Sequence, residues 1–307
     1  MHSLKKFIPQ WKRALVAVLL SVNLVLALFS FPVITGAPSR HTRAATLETG
    51  LNSCGESTSI LIGVCSSFRN IALRESIRET WGRQARNYTS KVVFFIGKPN
   101  PAEKLFRVLV EKEKRIHADI IEGDYIDHYA NLSMKTLALL DWARGECSTV
   151  KYIMKTDDDL FVNFPLLLNE LSKFENPTRL LIGYKIEQAR PISDRFSKWF
   201  TPTSLYGKPQ YPDYLSGSAY VVTNDLVPEL CEISKLNKIF WLEDVYITGI
   251  LAAKVNATLV HHKLFGFHKR KRDLCLDFIT YHQITSDEMS KLWKNGHSTS
   301  CHSIDAS

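Results

Sequence analysis

The sequence predicts an α/β protein with a mostly parallel sheet covered on both faces by helices. From Ile60 onward, short β-prone runs take turns with helix-patterned segments, the alternation that builds such a sheet. One β-prone run, Tyr152 to Met154, is followed closely by three acids, Asp157, Asp158 and Asp159, and then by the apolar Leu160-Phe-Val. In open sheets of this kind, ligands sit beyond the carboxyl ends of the strands, where these acids fall. A length of 307 residues allows one large domain or two small ones, with ample chain for a core.

Taken in order, the chain opens with Lys5, Lys6, Lys12 and Arg13, followed by an uncharged, largely apolar run from Ala14 to Ala37. About 20 such residues cross a bilayer core. The expected organisation is a cytoplasmic tail over 1–13, a transmembrane signal anchor over 14–37, a stem over 38–57 and a lumenal domain over 58–307. A cleaved signal peptide ending near Gly36-Ala37 is the alternative. Basic residues ahead of the span favour a cytoplasmic N-terminus, although Arg40 and Arg43 follow it. Sequons at Asn87, Asn131 and Asn256 fit a lumenal domain. Six cysteines, at 54, 65, 147, 231, 275 and 301, form no CxxC pair, which argues against zinc knuckles and leaves disulfide connectivity open.

The expected strands and helices then run Ile60 to Val64, Ile71 to Trp81, Val92 to Ile96, Glu103 to Ile116, Asn131 to Arg144, the acidic strand end, and Pro165 to Phe174. A net charge of +8 is spread along the chain apart from His268-Lys-Arg-Lys-Arg272, so no nucleic-acid partner is expected.

Three adjacent carboxylates repel one another unless a cation sits among them. Hard oxygen ligands at a strand end suit Mg²⁺ or Mn²⁺, which can in turn hold phosphate oxygens. Acids also cap turns and helix starts, so the triplet alone leaves both readings open. Glu243 and Asp244 open an apolar helix running to about Val255. They are either first-turn acids complementing the helix dipole or, one of them, a general base. His282 lies between an apolar stretch and a helix start at Ser286, as a structural histidine or as a further metal ligand.

Together these segments resemble the β1,3-galactosyltransferase family, which includes β1,3-N-acetylglucosaminyltransferases and is related to the Fringe enzymes. The matching stretches are Arg74-Glu-Ser-Ile-Arg-Glu-Thr-Trp-Gly82, Val93 to Gly97, Asp127 to Thr136, Tyr152 to Asn163, Ser197-Lys-Trp199, Tyr211 to Gly217, Glu243 to Tyr246 and His282-Gln-Ile. The resemblance implies a GT-A nucleotide-sugar-binding fold in a type II Golgi membrane enzyme that uses a UDP-sugar donor and Mn²⁺, with Mg²⁺ as the alternative. It places Asp159 and His282 on the metal, and Asp157 and Asp158 against the nucleotide and donor sugar. Asp244 becomes the base, with Glu243 its competitor and neighbour on the substrate side. Arg74, Arg78 and Gly217 become donor-pocket or substrate-binding residues. Helix-surface charges paired with solvent are the other reading of the two arginines.

The activity implied by the resemblance is an inverting transfer of galactose from UDP-galactose to a glycoprotein or glycolipid acceptor in β1,3 linkage. Transfer of N-acetylglucosamine is the alternative. Two departures matter: Leu215 stands where galactosyltransferase members often have Cys, and the acidic triple is Asp-Asp-Asp where several have Asp-Ser-Asp. A rival from another class is a non-catalytic lumenal module that keeps the fold to bind sugars or steady a partner.

Overall fold

A computed structural model describes residues 53–266 and 277–296. The expected span 14–37, most of the stem and the basic cluster 268–272 lie outside them. Among the described residues, no helix is long and apolar enough to cross a membrane.

Among the described residues, nine strands form two sheets. The large one has the order β3-β2-β1-β4-β7-β6-β8, built from β1 (Ile60–Cys65), β2 (Ser90–Lys98), β3 (Ile120–Ile126), β4 (Tyr152–Asp157), β6 (Leu180–Ile186), β7 (Tyr214–Thr223) and β8 (Thr258–His261). Strands β3, β2, β1 and β4 run parallel, β7 is antiparallel to both β4 and β6, and β6 pairs in parallel with β8. The sheet is thus mostly parallel, as expected, with a reversal at β7. A two-stranded ribbon pairs β5 (Leu160–Val162) with β9 (Thr280–His282).

Every residue of β1 is buried, because both faces are covered. Its side chains divide by the two-residue strand period: Leu61 enters one apolar layer, and Ile60, Ile62 and Val64 enter the other. On the first face lie α4 (Leu132–Glu146), through Leu139, Leu140 and Ala143, and α6 (Val227–Lys235), through Val227 and Leu230. A Cβ on Gly63 would stand 2.3 Å from Leu139 Cδ1, so glycine there permits the close seating of α4. On the second face lie α1 (Ile71–Glu79), α2 (Trp81–Arg86), α3 (Lys104–His117), α5 (Phe164–Ser172) and α7 (Ser286–Gly296).

The single helix expected over Ile71 to Trp81 is broken at Thr80, whose Oγ1 donates to Ser76 O at 2.5 Å while the backbone leaves the helical region. Trp81 then buries completely, and its indole N–H donates to Leu160 O at 3.0 Å. The expected apolar helix after Asp244 is wound as a π-helix over Val245–Leu251 before a short α-turn, Ala252–Lys254. At the N-terminal side the fold takes hold inside the expected stem. Cys54 is disulfide-bonded to Cys147 at the end of α4, and its N–H donates to Glu146 O at 2.8 Å. Leu215, the departure from the family pattern, is fully buried in the core.

Candidate active site

Strand β4 delivers the acids. Its last residue, Asp157, aligns with Cys65 at the end of β1, so the Ser66 to Asn70 loop and the acidic turn share one rim of the sheet. Asp158 is 6% exposed and turns inward: its Oδ2 accepts from Ser66 Oγ at 2.6 Å, Asn70 Nδ2 at 2.9 Å and Ser67 N–H at 3.3 Å. Burial pushes its carboxyl up to about 6, against the pull of the Ser66 and Asn70 hydrogen bonds. Asp127 fixes the same loop, accepting from Phe68 N–H and from Lys135 Nζ, both at 2.8 Å, while Lys135 also donates to Ser66 O at 2.6 Å. A cleft of about 550 Å³ opens above this rim, walled by Cys65 to Asn70, Asn100, Glu103, Ile126 to Tyr129, Leu132, Lys135 and Asp157 to Asp159.

Asp159 points the other way, toward the ribbon. Pairing of β5 with β9 sets Leu160 opposite His282, which carries the imidazole from 123 positions further along the chain to the acidic turn. His282 Nε2 lies 3.6 Å from Asp159 Oδ1. Asp157, Asp159 and His282 each offer one ligand atom, all within 4.8 Å of one another. Two carboxylates and an imidazole make a mixed O/N set able to hold a divalent cation, and the spacing fits ligands converging on one ion. Burial first, then the neighbouring Asp157 charge, raise the Asp159 carboxyl, with His282 opposing. A cation there would relieve that repulsion.

Lys155 is the residue that sequence reasoning passed over. It is 1% exposed, and its Nζ contacts Asp157 Oδ1 at 2.6 Å, Gly217 O, and Glu243 Oε2 at 3.7 Å. Burial alone would lower its pKa, yet the Asp157 and Glu243 carboxylates raise it, so the ammonium stays charged. One buried cation thereby joins β4, β7 and the turn carrying Glu243 and Asp244.

The two acids of that turn have different surroundings. Glu243 is interior: Oε1 accepts from Tyr220 OH at 2.7 Å and Thr136 Oγ1 at 2.9 Å, and Oε2 is buried beside Lys155 without a hydrogen bond. Asp244 is half-buried; its Oδ1 accepts from Val245 N–H at 2.8 Å, capping the π-helix. Its Oδ2 lies toward Gly217, where an added Cβ would stand 3.1 Å from Asp244 Cβ and 3.3 Å from Oδ2. Burial raises the Asp244 carboxyl above its ordinary value, the direction that makes a carboxylate a better base. Asp244 therefore sits at the helix end it was expected to complement, with Oδ1 capping Val245 and Oδ2 toward Gly217.

An aromatic wall stands on the same side. Trp199 Nε1 donates to Tyr129 OH at 3.2 Å, Tyr129 meets Trp241 edge-on at 6.2 Å, and Lys198 Nζ lies 4.5 Å from the Trp199 ring centroid. Tyr129 also borders the cleft. Burial and the Asp244 and Asp157 carboxylates raise its phenol, which places the ring within their field.

Arg74 and Arg78 are not in the cleft wall. Arg74 is fully buried, pairing with Glu113 at 2.7 Å and donating from Nη1 to Ser66 Oγ at 2.8 Å and Ser67 O at 2.5 Å. It supports the loop that holds Asp158. Arg78 pairs with Asp119 and Glu113, both at 2.8 Å, and lies over the Phe94 ring, away from the acids. Among the sequons, Asn87 and Asn256 are exposed, whereas Asn131 donates its side-chain amide to Ile126 O at 2.9 Å.

Known proteins are similar to this chain over most of its length. The profile of the family described as Galactosyltransferase matches residues 72–263, from α1 to just past β8. Beta-1,3-galactosyltransferase 1, in Mus musculus and Homo sapiens alike, is 35% identical over 251 residues, 80% of this chain and 76% of the relative. Human Lactosylceramide 1,3-N-acetyl-beta-D-glucosaminyltransferase is 34% identical over 249 residues, 77% of this chain and 65% of the relative. Human Beta-1,3-galactosyltransferase 2 is 32% identical over 234 residues, 73% of this chain and 55% of the relative.

Proposed function

Since the chain belongs to the Galactosyltransferase family, we propose that this enzyme, an inverting β1,3-hexosyltransferase, moves galactose from UDP-galactose to a hydroxyl of a glycan on a glycoprotein or glycolipid. The observation that carries the reading is the pairing of two half-sites across Lys155. On one side Asp157, Asp159 and His282 converge within 4.8 Å, and on the other stands the half-buried Asp244.

Asp159, His282 and Asp157 would hold a Mn²⁺ ion, with Mg²⁺ the alternative, and that ion would neutralise charge on the departing diphosphate. Asp158 keeps the Ser66 to Asn70 loop in place as a wall of the nucleotide-sugar cleft. Asp244 Oδ2 takes the acceptor proton as the hydroxyl oxygen forms its bond to the anomeric carbon and the bond to the UDP oxygen breaks. Glu243, interior and bound to Tyr220 and Thr136, holds Lys155 and the turn rather than the substrate proton. An inverting transfer of this kind needs no covalent carboxylate nucleophile. Transfer from UDP-N-acetylglucosamine is the second reading, favoured by the likeness to the N-acetylglucosaminyltransferase. The apolar run 14–37, with basic residues ahead of it, supports a single-pass type II protein of the Golgi membrane with its catalytic domain in the lumen.

UDP release with Mn²⁺ and simple glycan acceptors, with UDP-galactose and UDP-N-acetylglucosamine run in parallel, tests the donor. Asp244→Asn should lower turnover by roughly 10²-fold or more while UDP affinity holds. Glu243→Gln should instead cost mainly stability. A fully active Asp244→Asn enzyme would overturn the base assignment, and no release with either donor would overturn the transferase.

A further inference from the structure

Glu243 keeps a buried acceptor that nothing satisfies. The residue is 3% exposed; Oε1 is filled by Tyr220 OH and Thr136 Oγ1, while Oε2 has no hydrogen bond. A carboxylate oxygen taken out of water and left unpaired is costly, so it points to a partner that arrives in another state of the molecule. Such a partner is at hand. Lys155 and Asp157 project from the same face of β4, and the pairing of β4 with β7 sets Lys155 opposite Tyr220. The ammonium donates to Asp157 Oδ1 at 2.6 Å and to Gly217 O, which leaves one of its three protons over, and Glu243 Oε2 lies 3.7 Å away. A hydrogen bond there needs an approach of about 0.7 Å.

Asp157 is also one of the three residues whose ligand atoms converge within 4.8 Å. Whichever of its oxygens a divalent cation takes, the carboxylate charge that holds Lys155 is shared, and the ammonium then faces a like charge. Glu243 Oε2 is the acceptor to which it can turn without leaving its buried setting. We propose that Lys155 is a positioning residue that exchanges Asp157 for Glu243 when Asp157 takes up the metal ion, and so locks the turn that carries Asp244. The inference rests on the metal and base assignments proposed above. Lys155 touches both walls of the Asp244 slot, Gly217 through its carbonyl and Glu243 through its carboxylate. That slot is narrow: a Cβ on Gly217 would lie 3.2 Å from Glu243 Oε2 and 3.1 Å from Asp244 Cβ. Drawn onto Oε2, the ammonium ties the Glu243 turn to β7 beside the base, so that filling the metal site prepares the acceptor side.

A structure of the full chain with Mn²⁺ and UDP tests the exchange directly. Expected are a Lys155 Nζ to Glu243 Oε2 distance of about 3 Å and an Asp157 contact stretched beyond about 3.5 Å. Calorimetry, with Mn²⁺ titrated into the full chain in the presence of UDP, reads the same exchange in variants. Lys155→Met removes the competitor for Asp157, so Mn²⁺ should bind several-fold more tightly. Glu243→Gln, beyond its stability cost, should weaken Mn²⁺ binding several-fold, because the displaced ammonium loses its charged acceptor. Added to Lys155→Met, Glu243→Gln should change Mn²⁺ affinity little, since its effect needs the lysine. Weaker Mn²⁺ binding in Lys155→Met, with effects of the two substitutions that simply add, would mean a structural role alone and overturns the exchange. Mn²⁺ bound at Asp157, Asp159 and His282, with Lys155 still on Asp157 and Glu243 Oε2 still 3.7 Å away, overturns it too and leaves the metal reading standing. Mn²⁺ absent from those three residues overturns both. The structure with Mn²⁺ and UDP decides by itself if Lys155→Met does not fold.

Discussion

Gly217→Ala probes the site at its narrowest point. An added Cβ would stand 3.1 Å from Asp244 Cβ, 3.2 Å from Glu243 Oε2 and 3.3 Å from Asp244 Oδ2. Relaxed carbon contacts need about 3.5–4.0 Å, so the Asp244 side chain must retreat by about 0.5 Å. Overpacking of this kind costs about 1–3 kcal/mol of stability. A misplacement of 1 Å costs a reacting group up to about 10²-fold, so half that shift should lower turnover by about tenfold. UDP affinity should hold, because Asp157, Asp159 and His282 lie beyond Lys155. Gly183→Ala is the matched control: in the same sheet its Cβ would meet Tyr220 Cβ at 3.1 Å and Leu215 Cδ1 at 3.3 Å, with no site acid among its nearest contacts. Turnover at saturating donor and acceptor, UDP binding by calorimetry and melting temperature would be measured on both variants. The reasoning fails if Gly217→Ala turns over like the parent, or if Gly183→Ala loses turnover to the same degree at equal stability.

Other outcomes rest on the same contacts. Asp159→Ala and His282→Ala should each abolish Mn²⁺ binding measured by calorimetry with UDP present, and undiminished binding in either would remove that residue from the ligand set. Trp199→Ala should raise the acceptor KM several-fold while the donor KM stays put; equal movement of both would mean that the aromatic wall only supports the fold. Glu113→Ala strips the buried Arg74 and Arg78 of a shared partner and should cost about 3–5 kcal/mol in chemical unfolding. Burial opposes the Glu113 charge, but its bonds to Arg74 and Arg78 win and hold its carboxyl below the ordinary value of 4.5. Its contribution is therefore full above that value and is lost as pH falls through the depressed one, so the wild-type advantage over Glu113→Gln should shrink in acid. Burial pushes the Cys231 thiol up to about 12, and it should resist alkylation at neutral pH until the chain unfolds.

The sheet and the acidic rim were legible because burial leaves a mark in composition: strands covered on both faces read as apolar runs, and β4 ends among the acids. The reversal at β7 left no such mark, since a fully buried strand looks the same in either direction. His282 could be tied to Asp159 only by resemblance, because the β5–β9 pairing joins segments far apart in the chain. Lys155 went unseen for a different reason. A lysine in a β-prone run reads as solvent-facing, and only the folding of β7 and the Glu243 turn onto β4 brings three oxygens around its ammonium. Arg74 and Arg78 share a helix face, as their spacing implied, but spacing does not say what that face meets, and here it meets Glu113 and Asp119.

The reversal at β7 divides labour between the halves of the sheet. Strands β1 and β4 and the crossover after β3 supply the cleft, whereas the Gly217 approach and the wall at Trp199 belong to β7 and the long connection between β6 and β7, residues 187–213. That connection sits between antiparallel neighbours already paired along their length, and it is buried at Thr201 and Tyr211, so its exposed stretch can vary without re-registering the strands beneath the acids. If the proposed function holds, chimeras joined at Ile186 and Tyr214 should change the acceptor KM while metal-ion binding at Asp157, Asp159 and His282 is kept.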